Sequence, residues 1–485
     1  GKRPARVSRR RTSLPESGRI PPAIRAANAA LGLVDGTIAG TLTVDRLLDD
    51  ARNRTGLEDF GPGDIETPLS VLLDSVHREA KLHPLGYLVI RSRLLGVLEN
   101  RLRTAYWLHR HPEISESDVN TPIVITGLQR TGTTLLQRLL AADLEVRSLS
   151  SWEGLNPAPR TPRDATAGGG GLLGGRGDRT AGGRAPVPDG YSWIASNGDS
   201  RVRAAHRAQR ALKLLAPEFF IIHPVEYDGP EEEVLLLDSS FISTVPEALM
   251  NVPSFSRWLE GQNQSPAYER LVMLLKLLQW QQERPYWVLK SPHHLEWPEY
   301  LTSFLPHPRI IMLHRDPVIA ASSFYSMVWH SNRLLSAETS AQTLARHWFA
   351  KQQRMIRKMM AFRDGRSRPA DSGGAVNGAG AGDKAGGGSD AGRSPSASSH
   401  EILDVSYYDL VADPIRQVER IYARFGFAFT EEKRARMEEV LRHHRRDKYG
   451  VHRYHPESFG ISREELDGAF AEYRDRFDIP REAHE

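Results

Sequence analysis

Pro122-Ile-Val-Ile-Thr-Gly127-Leu-Gln-Arg130-Thr-Gly132-Thr-Thr-Leu-Leu136 is the stretch from which the rest of the chain is read. The apolar run 123–126 has the composition of a buried strand, Gly127 and Gly132 bracket four residues, and a helix is predicted over 134–142. Glycine tolerates the tight turns that aim successive backbone N–H groups into one concavity, and a helix N-terminus adds the positive end of its dipole. The hydroxyls of Thr133 and Thr134 and the guanidinium of Arg130 supply further donors for the same anion. Strand, glycine loop and helix in this order form a phosphate-binding loop. A nucleoside-triphosphate loop sets Lys directly after its second glycine. Here Thr133 stands there and the cation comes earlier, so the loop suits fewer phosphates and no metal is expected.

Working outward, the runs 287–289, 310–313 and 402–405 also read as buried strands, and amphipathic helices are predicted over 267–282 and 341–360. Strands alternating with helices imply an α/β fold of three layers, a central parallel sheet flanked by helices. Two of these strands end in polar residues: Trp287-Val-Leu-Lys290-Ser-Pro-His293-His294, and Arg309-Ile-Ile-Met-Leu-His-Arg315-Asp-Pro. Ligands bind at that carboxyl edge of a parallel sheet. Arg315, with Ser323 eight residues on, offers a planar fork and a hydroxyl to a second phosphate. Lys290, at its strand end, can bring a cation to the same edge. The run 234–237 before Asp238 resembles a strand ending in a magnesium-holding carboxylate, although an acidic entry to a buried segment explains it equally well.

Two phosphate centres without a loop lysine suit 3′-phosphoadenosine-5′-phosphosulfate (PAPS). The sequence resembles the PAPS-dependent sulfotransferases, in particular a bacterial branch sharing features with tyrosylprotein sulfotransferases. The resemblance rests on 127–136, 287–295, 309–323, 402–425 and 449–454. It implies that Arg130, Thr131, Gly132, Thr133 and Thr134 hold the 5′-phosphosulfate end, and that Arg315 and Ser323 hold the 3′-phosphate. It further implies that Tyr449–Tyr454 closes over the nucleotide through Arg453. Arg130 and Lys290 are the candidate catalytic cations. The base is Glu153 by resemblance, its pKa expected to be raised beside Trp152, with His293 and His294 as alternatives. All this requires Arg130 and Arg315 to lie within reach of one nucleotide.

The 485 residues carry a formal net charge of +4, and 40% are hydrophobic and 26% charged, values that suit a folded soluble protein. The absence of cysteine removes disulfides, thiolate metal sites and a thiol nucleophile, and fits a cytoplasmic setting. No basic tract interleaved with aromatics points to nucleic acid, and no apolar run reaches the ~20 residues of a transmembrane helix. The expected organisation is a disordered basic tail (1–19), a helical N-terminal extension (20–120) and one α/β domain (121–480). Flexible glycine-rich insertions are expected at 164–190 and 364–399. The acceptor is expected to be a small molecule, lipid or glycan bearing a hydroxyl or amine. A P-loop nucleotide kinase and a degenerate nucleotide-binding protein are the competing readings.

Overall fold

The strands are β1 (Pro122–Gly127), β2 (Val146–Ser148), β3 (Tyr286–Lys290), β4 (Arg309–His314) and β5 (Ile402–Ser406). They pair in the order β2-β3-β1-β4-β5, every neighbour parallel. The computed structural model describes residues 20, 22–32, 38–165, 199–215, 226–365, 402–443 and 456–482. The basic tail 1–19, all but the first two residues of each glycine-rich stretch, and Tyr449–Tyr454 with Arg453 lie outside them.

β1 is buried along its whole length because both faces of the sheet are covered. Alternate side chains point to opposite faces. Ile123, Ile125, Ile311 and Leu313 pack with Leu136 and Leu139 of the helix Thr133–Leu140 and with Val418 and Ile421 of the helix Pro414–Phe425. On the other face, Val124, Leu289 and Ile310 share one core with Leu69, Leu94 and Leu98 of the helices Glu66–Glu79 and Pro84–Arg110. The helices before β1 thus form a wall of the same core as the sheet. Each large apolar side chain buried in this way contributes roughly 1.5–3 kcal/mol.

The α/β class agrees with the sequence reading, and the four expected strands extend it by one or two residues. β2 was not expected: it is three residues long, and Arg147 and Ser148 carry no strand signal. Val234–Leu237 is a single helical turn instead of a strand. Asp238 accepts hydrogen bonds from Arg93 at 2.5 Å and Ser243 at 2.6 Å, so its carboxylate is spent on an internal pair. Among the described residues no helix is long and apolar enough to cross a membrane.

Candidate active site

With β1 between β3 and β4, the chain leaves β1 towards one side of the sheet and later returns to the other. The loop after β1 therefore sits where the strand order reverses, at the carboxyl edge. Gly127 has φ 148°, and a Cβ there would stand 2.7 Å from the Leu313 carbonyl oxygen of β4. Gly132 has φ 91°, and its Cβ would meet the Tyr407 ring at 2.9 Å. Both positions therefore require glycine. The helical bonds begin with Leu135 and Leu136, which donate to the Gly132 carbonyl at 3.0 and 3.2 Å. The amides of Gly132, Thr133 and Thr134 precede that ladder, as the first turn of a helix demands. Thr134 is exposed at this end. The Thr131 hydroxyl, by contrast, is buried and donates to the Leu128 carbonyl at 2.7 Å, so it braces the loop and leaves only its backbone for a ligand.

Arg130 occupies the left-handed region at φ 69°, which swings its side chain towards the helix Pro317–Arg333. Its Nε donates to the Ser323 hydroxyl at 3.2 Å. Arg315, at the end of β4, donates from Nη1 to the Arg130 carbonyl at 3.1 Å. Arg130, Arg315 and Ser323 thus adjoin one another, as a single ligand reaching both arginines requires. The positive φ of Arg130 that brings its side chain to Ser323 is invisible in a residue pattern. The other edge of the Arg315 guanidinium is taken by Glu482, through Nε at 2.7 Å and Nη2 at 3.0 Å. The Tyr407 ring lies under it at 4.2 Å. Burial works against the Arg315 charge, and Glu482 and Tyr407 outweigh it, so its pKa moves up. Tyr407 and Glu482 were missed by sequence reasoning. The first could have been noticed as the residue following β5; the second carries no local signal.

On the β3 side the groups face one another. Lys290 is 4% exposed, its amide donates to Glu233 at 2.6 Å and its Nζ pairs with Glu232 at 2.5 Å. His294 is fully buried between the Tyr268 hydroxyl at 2.8 Å and Glu233 at 2.7 Å. His293 is likewise fully buried and packs on Trp297 with ring centroids 4.4 Å apart. Burial, with His294 and Lys351 nearby, pushes its imidazole well below the usual range. Neither histidine is open to an acceptor in this arrangement.

Glu153 lies in the short helix Ser151–Leu155 and closes a capping box with Ser150. Its Oε2 accepts from the Ser150 amide at 3.1 Å, the Ser150 hydroxyl at 2.7 Å and Arg147 at 3.0 Å, and its Oε1 pairs with Arg147 as well. The expected rise in its pKa is reversed. Burial alone would raise it, but the Arg147 guanidinium and the Ser150 hydrogen bonds hold the carboxyl below its ordinary value. Trp152, from which the rise was expected, is not what sets it. A second carboxylate of the acidic run before 234–237, Glu231, lies near Lys290 and Glu232. Desolvation raises the pKa of Glu231, Lys290 offsets part of that rise, and Glu232 adds to it. Among the described residues no group of His, Asp or Glu is arranged to hold a metal ion.

Comparison with known proteins gives this geometry a context. A family profile described as the sulfotransferase family matches residues 122–368, slightly more than half of the chain. Sulfotransferase STF1 of Mycobacterium tuberculosis is 27% identical with a TM-score of 0.67, over 89% of this chain and 98% of that one. Sulfotransferase STF9 of Mycobacterium avium gives 23% identity and a TM-score of 0.71 over 91% of this chain and 98% of that one, a likeness of fold. No curated protein matches the chain.

Proposed function

The chain belongs to the sulfotransferase family, and from that premise we propose that it moves a sulfuryl group from PAPS to a hydroxyl or amine of a small-molecule, lipid or glycan acceptor in the cytoplasm. The observation that carries this reading is the unbroken strip of donors from the helix N-terminus at Thr133 and Thr134, through Arg130, to Ser323 and Arg315. The residues present fit such a donor nucleotide. Gly127 and Gly132 let the loop lie close against Leu313 and Tyr407, where a Cβ would collide. The fork of Arg315 already grips one carboxylate at two points, and the two oxygens of Glu482 stand in for two phosphate oxygens. In this reading the amides of 131–134 and the hydroxyls of Thr133 and Thr134 hold the 5′-phosphosulfate end, with Arg130 between the phosphates. Arg315 and Ser323 hold the 3′-phosphate.

PAPS would supply an activated sulfuryl group whose bond to the bridging oxygen breaks as a bond to the acceptor forms. The chain's own part is to place donors in advance at the atoms that gain charge. Lys290 is the cation on the β3 side, and it must exchange Glu232 for the developing negative charge. Glu153 is the base in this proposal. Arg147 and Ser150 hold it ionised but below its ordinary value, so their grip must loosen for it to take up the acceptor's proton. The Ser150 hydroxyl at 2.7 Å marks the direction from which an acceptor hydroxyl would donate, and it must yield that place.

Calorimetric titration with adenosine 3′,5′-bisphosphate tests the reading. Binding is expected without Mg²⁺, and Arg315→Ala is expected to weaken it by roughly 1.5–3 kcal/mol, the worth of a hydrogen bond to a charged group. An affinity that ignores Arg315→Ala, or that requires Mg²⁺, would overturn it.

A further inference from the structure

The segment around Ile479–Glu482 is tied down at the carboxyl end of β4 by several contacts. The Glu482 amide donates to Asp316 Oδ2 at 2.8 Å. The Tyr408 hydroxyl bonds to the Pro480 carbonyl at 3.3 Å and to Glu482 at 3.2 Å. Arg481 holds Asp467 at 2.8 Å. These contacts deliver the Glu482 carboxylate to the Nε–Nη2 edge of Arg315, the edge that makes a guanidinium a two-point phosphate receptor. The remaining Nη1 is committed to the Arg130 carbonyl. Arg315 cannot present its two-point edge to a phosphate while Glu482 holds it.

We propose that the chain carries its own competitor for the 3′-phosphate: Glu482 and the phosphate exchange on one edge of Arg315, and binding expels the strap 480–482, while Ile479 stays anchored in the core. The proposal rests on the nucleotide reading above and assigns that site a built-in regulator. The exchange is physically accessible. Arg315 and Glu482 side chains are 14% and 24% exposed, so water reaches the pair and screens it. A phosphate dianion offers more charge than a carboxylate on the same two hydrogen bonds. The cost of displacing the strap falls only on ligands that need Arg315, so the strap lowers affinity for nucleotides with a 3′-phosphate and is indifferent to those without one.

The test compares adenosine 3′,5′-bisphosphate with adenosine 5′-monophosphate on the full chain, as wild type, Glu482→Gln and Glu482→Ala. Both variants are expected to bind the bisphosphate about three- to tenfold more tightly, the range set by a partly exposed ion pair, with affinity for the monophosphate unchanged. Backbone hydrogen exchange at Arg481 and Glu482 is expected to speed up when the bisphosphate binds wild type and to stay constant with the monophosphate. Weaker or unchanged bisphosphate binding in both variants would overturn the proposal, since Glu482 would then orient Arg315 or stand apart from it. Equal shifts for the two nucleotides would overturn it as well, and so would slower exchange in the strap on binding. If neither nucleotide binds wild type, the donor reading itself fails, a result distinct from all of these.

Discussion

The β4 side of the phosphate loop and the β3 side are assembled from similar residue types and put to opposite use. On the β4 side, Arg130 and Thr134 reach solvent, Arg315 is half-buried, and their contacts run through the buried Ser323 to the partly exposed Glu482. On the β3 side, Arg147 and Glu153 are each 5% exposed and satisfy one another, and Lys290 and His294 are spent on Glu232 and Glu233. Arg315, with 14% of its side chain exposed, leaves room for water to take over part of the pairing when its partner goes. A buried charge cannot be abandoned so cheaply. The first side is therefore built to exchange partners, and the second to hold its shape until something enters it.

This contrast is open to direct attack, most severely at Glu153. Glu153→Gln is expected to lower unfolding free energy by about 3–5 kcal/mol, because Arg147 is left buried without its counter-charge. Chemical denaturation measures it. At a temperature where the variant is still folded, turnover is expected to fall by at least ~10², the usual worth of a positioned base. Lost turnover with unchanged stability would erase the difference between the two sides. On the β4 side, Arg315→Ala should change stability by no more than about 1 kcal/mol while it weakens bisphosphate binding as stated above. A collapse in its denaturation midpoint would show that Arg315 belongs with the structural pairs.

Gly132→Ala probes the seam between the sides. A side chain held at φ 91° costs about 1–2 kcal/mol, and the Tyr407 ring must shift from the position in which it lies under Arg315. Denaturation should register that loss, and nucleotide affinity should fall with it. Unaltered affinity would mean that the ring has no part in placing the guanidinium.

How much of this was legible in the sequence follows the same division. The strand–loop–helix around Gly127 and Gly132 announced itself because backbone geometry there demands particular residues in a particular order. Arg315 and Ser323 followed from spacing at a strand end. Nothing in the residue pattern revealed that Arg130 turns to positive φ and meets Ser323, since arginine has no preference for that region. Nor could spacing show that Glu153 meets Arg147: the pKa of a carboxylate depends on a partner six positions away whose direction only the fold of β2 decides. Glu482 lies 167 residues from Arg315, beyond any local signal.

The smallest expected effect is a slope. His293 is fully buried against Trp297 with Nε2 lacking a partner, and burial, His294 and Lys351 outweigh the pull of Glu247 to keep it neutral. The unfolded chain takes up a proton near pH 6.5 and the folded chain does so only well below that. Its contribution to stability is therefore complete above pH 6.5 and is lost as pH falls towards the depressed folded value. One proton of difference corresponds to about 1.4 kcal/mol per pH unit. His83 and His314 are depressed too and add to the same fall. Denaturation midpoints between pH 6.5 and 5 should thus decline less steeply in His293→Asn, by about one proton's worth, whatever the variant's absolute stability. Arg315→Ala should leave the slope as it is. If His293→Asn declines as steeply as wild type, the imidazole protonates in the folded state, and the β3 side is less closed to water than its packing implies.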